Sequence, residues 1–153
     1  MQLYIPQLAE RITLLAPWEF TVYGEERNLG LLKNLVAQGV LSEADAVKGF
    51  SSSYASSKSP KTLDDVYYGN NNPVAKVVLP PGAVLSVNRI FIRQGSAEYN
   101  SVTFNLLSTP RHTWKRARFW AKLHDVNTIQ IDEHAIVTKP PEKLGSLPVA
   151  MAI

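Results

Sequence analysis

Residues 83–93 read Ala-Val-Leu-Ser-Val-Asn-Arg-Ile-Phe-Ile-Arg and carry a change of phase within an alternating strand pattern. Leu85 and Val87 share one face of the predicted strand, because side chains two residues apart in a strand point the same way. Ile90 and Ile92 share the opposite face, so the alternation changes phase after Val87. A β-bulge or a coiled bend produces such a change, and small barrels use these bends to curl a strand between two sheet regions. The segment therefore predicts a bent strand in a curved sheet.

Further strand signals surround this segment. Residues 101–107 alternate apolar and polar side chains, which is typical of a two-sided strand. The other predicted elements are a turn at Leu79-Pro-Pro-Gly82, strands at 76–79, 116–123 and 128–132, and a tight or 3₁₀ turn at 124–127. Together these signals predict an antiparallel β unit.

The N-terminal part predicts a strand followed by helices. Residues 18–23, Trp-Glu-Phe-Thr-Val-Tyr, alternate in the manner of a half-buried strand. Residues 25–38 place leucines and a valine at the spacing of an amphipathic helix, and Gly39 is suited to cap its C-terminal end. A second, short helix is predicted to begin after an N-cap at Ser42 and to end at Gly49.

The composition divides the chain into segments. Residues 1–50 form the N-terminal α/β part, and residues 76–135 form the β unit. Residues 51–75 are rich in Ser and Asn and are predicted to be a loop or linker, because such a sequence cannot build a packed element. Residues 136–153 are predicted to be a proline-containing tail over the surface.

The order of strands and turns resembles that of a small SH3-like barrel. The stretches that carry the resemblance are Leu79–Gly82, Val87–Arg93, Ser101–Phe104 and Arg118–Val126. Residues 18–28 are loosely similar to accessory proteins carried by tailed phages. The expected fold class is α+β, with the N-terminal strand and one or two helices packed on a small antiparallel SH3-like or OB-like barrel. The resemblance implies a phage or mobile-element accessory protein that binds rather than catalyses, in the host cell cytoplasm.

Composition excludes several classes of protein. Hydrophobic residues make up 45% of the chain and charged residues 19%, which are values of globular proteins and not of disordered ones. No apolar run reaches the roughly 18 residues that a membrane span needs, and no signal peptide is recognisable. The absence of cysteine excludes disulfides and thiolate metal sites and favours a cytoplasmic location. The net charge of +3 is concentrated after residue 48 and permits an anionic partner.

The leading candidate site is the segment 111–122, which combines basic and aromatic residues and lacks acidic ones. Basic groups that meet phosphates, beside rings that meet bases, are what a surface for single-stranded nucleic acid requires. On an alternating strand, Arg116, Arg118, Trp120 and Lys122 would project from one face. The candidate residues are Arg111, Trp114, Lys115, Arg116, Arg118, Trp120 and Lys122, with Arg89 and Arg93 for a broader patch. The same pattern also fits an acidic protein partner, or a solvated face in which Trp120 packs under basic side chains.

Catalytic and metal-binding residues are not predicted. The three histidines, His112, His124 and His134, are too far apart in sequence for a typical zinc pair. His124 and Asp125 are expected to point to opposite faces of a strand, which excludes a catalytic dyad. The chain has no phosphate-binding loop, dinucleotide fingerprint or nucleophile elbow, and no cofactor is expected.

Two functions therefore remain. The first is a non-enzymatic protein that binds single-stranded nucleic acid through the basic-aromatic strand. The alternative is a protein-interaction module, such as a phage inhibitor of a host defence protein, with an exposed patch that includes Tyr67, Tyr68 and Tyr99. A homodimer built on an edge strand is compatible with both functions.

Overall fold

A computed structural model describes residues 11–51, 60–66, 68–93, 100–110, 117–131, 134–135 and 149–151. The strands are β1 Arg11–Thr13, β2 Trp18–Tyr23, β3 Phe50–Ser51, β4 Tyr68–Gly69, β5 Pro73–Leu79, β6 Val84–Phe91, β7 Ser101–Ser108, β8 Ala117–Lys122, β9 Gln130–Ile131, β10 His134–Ala135 and β11 Val149–Met151. The α-helices are α1 Leu29–Ala37, α2 Glu43–Ala46 and α3 Leu123–Val126. Short 3₁₀ turns lie at Glu26–Asn28, Val47–Gly49 and Leu63–Asp65.

The strands form two main sheets, which confirms the α+β class. One sheet has the antiparallel order β1-β6-β7-β8, and the other has the order β11-β5-β2. In the second sheet β2 is antiparallel to β5, whereas β11 is parallel to it. Two-stranded ribbons join β3 to β4 and β9 to β10. Every sheet within the described ranges is open, so closure into an SH3-like or OB-like barrel is not confirmed.

Pairing between β2 and β5 joins the N-terminal part to the β unit. The ladder runs from Trp18 opposite Leu79 to Tyr23 opposite Pro73. β5 begins at Pro73, inside the segment predicted to be a linker, and β11 brings part of the predicted tail onto the other edge of β5. Strands from the N-terminal part (β2), from the boundary of the predicted linker and the β unit (β5) and from the predicted tail (β11) therefore form one sheet.

Aromatic side chains from both sheets form the centre of the core. Trp18 and Phe20 of β2 stack with their ring centroids 4.3 Å apart, and Phe20 stacks on Phe119 of β8 at 5.0 Å. Phe104 of β7 lies 5.6 Å from Phe119. All four rings are at most 1% exposed, and burial of each such side chain contributes about 1.5–3 kcal/mol to stability. β2 thus connects the two sheets through its inward aromatic residues.

The predicted bend in β6 is confirmed as a β-bulge. Val87 lies opposite Phe104, but Arg89 lies opposite Thr103, so the residue between them is an extra one on β6. Before the bulge, Val87 faces the core and is 3% exposed; after it, Ile90 takes over the packing against the core. The bulge therefore reverses which residues of β6 face outward.

The predicted helices are confirmed with a later start for the first. Glu25 is the N-cap of the 3₁₀ turn, and its carboxylate accepts the Arg27 backbone N–H. α1 begins only at Leu29, because the preceding residues form that tighter turn. Gly39 ends the helix with a φ of 75°, and Ser42 caps α2 by accepting the Asp45 N–H.

The expectation that β2 is half-buried is wrong. Glu19 is exposed as predicted, but Thr21 and Tyr23 are only 6% and 5% exposed. The Thr21 N–H donates to the carboxylate of Asp125 in α3, and the Tyr23 ring stacks on Trp120 of β8. Tertiary contacts from the C-terminal half thus cover the face that the alternation assigns to solvent.

Within the described ranges, no helix combines the length and the apolar character needed to cross a membrane.

Candidate nucleic-acid interface

A cleft of about 520 Å³ opens on the outer face of the β6-β7-β8 sheet, where β2 ends. We call it the basic-aromatic cleft. Its lining residues are Tyr23, Glu25, Arg27, Asn71, Arg89, Phe91, Arg93, Ser101, Trp120 and Lys122. They comprise four cationic side chains, three aromatic rings and one carboxylate. The residue types are those that bind an anionic ligand with planar groups.

The sheet register brings the floor of the cleft together in two adjacent rows. Thr103 of β7 lies between Arg89 and Trp120 in one row. Ser101 lies between Phe91 and Lys122 in the next row. Residues directly opposite one another on antiparallel strands share a face, and so do residues two apart along a strand. A guanidinium, two rings and an ammonium therefore project from one patch of the sheet.

The β-bulge is the reason that Arg89 and Phe91 belong to this patch. Without the extra residue, continued alternation from Val87 would direct both side chains towards the core. With it, Arg89 is exposed and Phe91 is 49% exposed on the outer face. The bulge therefore turns the side chains of Arg89 and Phe91 outward, where they form one side of the cleft.

A pair of stacked rings forms the opposite side. Tyr23 and Trp120 lie with centroids 5.2 Å apart and planes 4° from parallel. The Lys122 ammonium lies 4.7 Å from the Tyr23 ring, and the Arg27 guanidinium lies 5.7 Å from the Trp120 ring. Burial, followed by the charge of Asp125, raises the pKa of the Tyr23 phenol to about 12. Tyr23 is thus a neutral ring at physiological pH.

Glu25 anchors this wall. Its Oε2 accepts the Trp120 indole N–H at 2.7 Å, and the same carboxylate pairs with the Arg27 Nε at 3.0 Å. Arg27 Nη1 in turn donates to Thr103 Oγ1 at 3.3 Å, which places its guanidinium over the floor of the cleft. A carboxylate and a guanidinium from the N-terminal part are therefore held against the β7–β8 sheet.

The cationic groups differ in how far they are neutralised. Arg27 is paired with Glu25, whereas exposed Arg89 has no carboxylate within ion-pair distance in the described part of the chain. The Arg93 backbone N–H donates to Asn100 Oδ1 at 2.7 Å, across the connection between β6 and β7. Arg89 is the group best placed to meet an anion from solvent.

The structure brings together four of the residues predicted from sequence: Arg89, Arg93, Trp120 and Lys122. Arg118 is exposed on β8, but it does not line the cleft. The other predicted site residues, Arg111, Trp114, Lys115 and Arg116, lie outside the described residues.

The idea of a solvent-exposed Trp120 is wrong. Its side chain packs between Tyr23 and Arg27, and only 9% of it is exposed. The alternative considered from sequence was that Trp120 packs under Lys and Arg stems or against the N-terminal helix; in the structure Arg27, just before α1, and Tyr23 of β2 cover the ring. Trp120 therefore contributes a wall of the cleft and not a free stacking surface.

Sequence reasoning missed several lining residues, among them Tyr23, Glu25, Arg27 and Phe91. Residues 25–28, Glu-Glu-Arg-Asn, concentrate charge after β2, but such a cluster fits helix capping equally well and does not by itself indicate a binding site. Phe91 carries the clearest missed signal: after the change of phase in β6, alternation puts it on the face opposite Ile90. Of the tyrosines predicted in a protein-binding patch, Tyr68 is 38% exposed, and Tyr67 and Tyr99 lie outside the described residues.

His124 and Asp125 also depart from expectation. They lie on the helical turn α3, where the sequence predicted a tight or 3₁₀ turn, and their side chains approach to 3.6 Å and do not point to opposite faces as on a strand. Burial raises the pKa of the Asp125 carboxyl, although the Thr21 N–H and His124 oppose the shift. The Asp125 carbonyl accepts the Trp18 indole N–H at 2.8 Å. Asp125 thus connects α3 to the start and the middle of β2.

In the described part of the chain, no three His, Asp or Glu side chains converge on a position that could hold a metal ion. Comparison with known proteins found no family model, no curated protein and no solved structure that matches this chain.

Proposed function

We propose that this protein binds single-stranded nucleic acid in the basic-aromatic cleft and has no catalytic activity. The observation that carries the proposal is the pair of rows on the sheet, which set exposed Phe91 next to Arg89 on β6 and across Ser101 from Lys122. Arginine and lysine meet the phosphates of a strand, while an exposed ring stacks on its bases. Phe91, at 49% exposure, takes the stacking role that the sequence suggested for Trp120.

Single strands suit the cleft better than duplexes. The bases of a duplex are already stacked on one another and cannot reach a ring on the protein, whereas an unpaired base can. The SH3-like or OB-like architecture and the phage origin stay parts of this proposal, as does action in the host cytoplasm.

The test is fluorescence anisotropy with labelled single-stranded and duplex oligonucleotides of about 12 nucleotides, a length within the range that small single-strand binding folds occupy. Arg89→Ala should weaken binding to single strands and lower the slope of log K against log salt by about 0.7, the value for one lost phosphate contact. Arg11→Ala is the matched control, because Arg11 is exposed on β1, at the other edge of the same sheet.

The control variant should bind as the wild type does. Folded wild-type protein that binds no oligonucleotide even at low salt would refute the proposal, as would equal losses in both variants. Unchanged binding by Arg89→Ala would likewise show that the cleft is not the binding site.

A protein partner is the second candidate, and one observation favours it. Phe91 is 49% exposed beside the cationic groups of the cleft. An exposed aromatic ring with a basic rim is suited to an acidic protein surface, such as that of a host enzyme under inhibition. This function predicts a complex of defined stoichiometry by light scattering and no affinity for oligonucleotides.

A further inference from the structure

Glu25 is a carboxylate in a cleft that is otherwise cationic. A carboxylate repels the phosphates of a nucleic acid, so its presence weakens general binding to a polyanion. The same group attracts N–H donors, which the bases carry and the phosphates lack. The position of Glu25 therefore bears on which base the cleft accepts.

The carboxylate is held in one orientation. Its Oε2 accepts from the Arg27 backbone N–H and Nε, both at 3.0 Å, and from the Trp120 indole at 2.7 Å. Three donors on one oxygen remove its rotational freedom, and the stacked Tyr23–Trp120 pair supports the arrangement from the sheet side. An acceptor fixed in this way costs little ordering entropy when a ligand arrives.

The other oxygen keeps capacity to accept. Within the described part of the chain, Oε1 accepts a single contact, from Arg27 Nε at 3.1 Å, and the side chain is 25% exposed. A carboxylate offers about four lone-pair sites in total. Oε1 can therefore accept one more hydrogen bond at the wall of the cleft.

The bases differ in what they offer to such an acceptor. Cytosine presents its N4 amino group, a donor that Glu and Asp side chains accept, whereas uracil presents a carbonyl oxygen at the same position. Two oxygens facing each other repel. The neighbouring ring nitrogen N3 also differs, since it is an acceptor in cytosine and an N–H donor in uracil, so selection against uracil requires that Glu25 Oε1 meets the exocyclic group at position 4 and not N3.

We propose that Glu25 is a specificity-determining residue, which selects bases with an exocyclic amino group on the Watson–Crick edge and rejects uracil. The inference rests on the proposed binding of single-stranded nucleic acid in this cleft. Phosphate contacts from Arg89 and Lys122 hold the strand, and the Glu25 carboxylate reads the base.

The test compares labelled oligo-dC and oligo-dU of about 12 nucleotides, a length within the range of small single-strand binding folds, by anisotropy at one salt concentration. Wild-type protein should prefer oligo-dC by about tenfold, the ratio that corresponds to one hydrogen bond to a charged group. Glu25→Gln keeps an oxygen for the Trp120 indole but adds an amide donor that uracil can accept. This variant should bind both oligonucleotides more tightly and lose the preference.

Glu26→Gln is the matched control, because Glu26 is the adjacent carboxylate, is exposed and does not line the cleft. It removes the same charge and should keep the preference for oligo-dC. Equal affinity of the wild type for the two oligonucleotides would overturn the inference but leave the proposed function standing. A preference that survives in Glu25→Gln would overturn it as well, and binding to neither oligonucleotide would overturn the proposed function itself.

Discussion

The side chain of Asn28 and the backbone of Trp120 are joined by a buried hydrogen bond of 2.8 Å between residues 92 positions apart. Trp120 donates its N–H to Asn28 Oδ1, and Asn28 Nδ2 donates to the Tyr23 carbonyl at 2.9 Å. β8 is an edge strand, so its outward N–H has no neighbouring strand to bond. Asn28 therefore supplies the hydrogen-bond partner that the edge strand lacks, and it holds the 3₁₀ turn with Glu25 and Arg27 against β8.

Replacing Asn28 with Ala should destabilise the protein. The change removes the Asn28 partner from a buried N–H and from a backbone C=O, and we expect the free energy of unfolding to fall by about 2–6 kcal/mol, one desolvation penalty for each group. Urea denaturation measures the loss. Asn70→Ala is the control, because Asn70 is exposed and, among the residues that the structure describes, its side chain bonds only the Asn72 N–H. An equal loss in both variants would contradict this account.

The close approach of Gly24 to Gly49 gives a second prediction. A β-carbon on Gly24 would overlap the Gly49 carbonyl oxygen, so Gly24→Ala forces the backbones apart. We expect the free energy of unfolding to fall by about 1–3 kcal/mol, the usual cost of overpacking. In the control Gly30→Ala, the new β-carbon has room, since the nearest atom is the Ala117 Cα at 3.9 Å. Because Gly30 is an exposed position in α1, the free energy of unfolding of this variant should rise by about 0.5–1 kcal/mol. Thermal denaturation that shifts both variants in the same direction would contradict the prediction.

The buried carboxyl of Asp125 should make stability depend on pH. Because burial raises its pKa in the folded state, its contribution to stability is present below the ordinary value of 3.8 and is lost as pH rises through the raised folded value. Asp125→Asn keeps an oxygen for the Thr21 N–H and cannot ionise. The stability of the wild type relative to this variant should therefore decline with rising pH across that window, as measured by urea denaturation at a series of acidic pH values.

Asp64→Asn is the control for this pH series, since the Asp64 side chain is 87% exposed. The stability of the Asp64→Asn variant should therefore change with pH in the same way as that of the wild type. A constant difference between wild type and Asp125→Asn at all pH values would show that the Asp125 carboxyl is not the group responsible.

The Tyr23 phenol should ionise late in an alkaline titration. Its folded pKa of about 12 lies above the ordinary 10.0, so the stability contributed by the neutral ring is lost as pH rises through about 12. Subtracting the phenolate absorbance of Tyr23→Phe from that of the wild type isolates this residue. Tyr68→Phe, at a 38% exposed position, provides the comparison. A midpoint for Tyr23 near 10.0 would contradict the burial seen beside Trp120.

Phe91 should carry more of the ligand affinity than its neighbour. If Phe91 stacks on a base, Phe91→Ala weakens binding of a single-stranded oligonucleotide by about 1–3 kcal/mol. Ile92→Ala removes a side chain of nearly equal exposure that does not line the cleft, and it should change affinity little. Anisotropy titrations of both variants against one oligonucleotide measure the difference, and the reverse order of losses would place the contact elsewhere.

Much of the local structure follows from sequence because its causes are local. The change of phase after Val87 predicted the bulge in β6, since alternation with period two reports directly which face each residue occupies. Ser42 and Gly39 predicted helix ends for a similar reason, because caps depend on one side chain or one backbone angle. These features need no knowledge of distant residues.

Only the tertiary structure shows which distant residues cover each face of a strand. Alternation separates Trp120 from the core, but it cannot reveal that Tyr23 and Arg27 cover this ring. The same limit produced the wrong expectation for Thr21. This residue is buried, and its N–H donates to the carboxylate of Asp125, 104 positions away. Sequence patterns describe how a residue relates to its neighbours along the chain, and burial depends on which distant segment packs above it.

By itself the sequence indicated the α+β class, a bulge or bend in β6, and a basic C-terminal part with one basic-aromatic segment at residues 111–122. The tertiary structure alone decided that Arg89, Lys122 and Phe91 share one cleft, and that Glu25 stands in its wall with a hydrogen bond to a residue 95 positions away. The physical reason is that the cleft exists only where the end of β2 packs across the register of three paired strands. Packing of this kind is a property of the folded chain and leaves no periodic signal in any one segment.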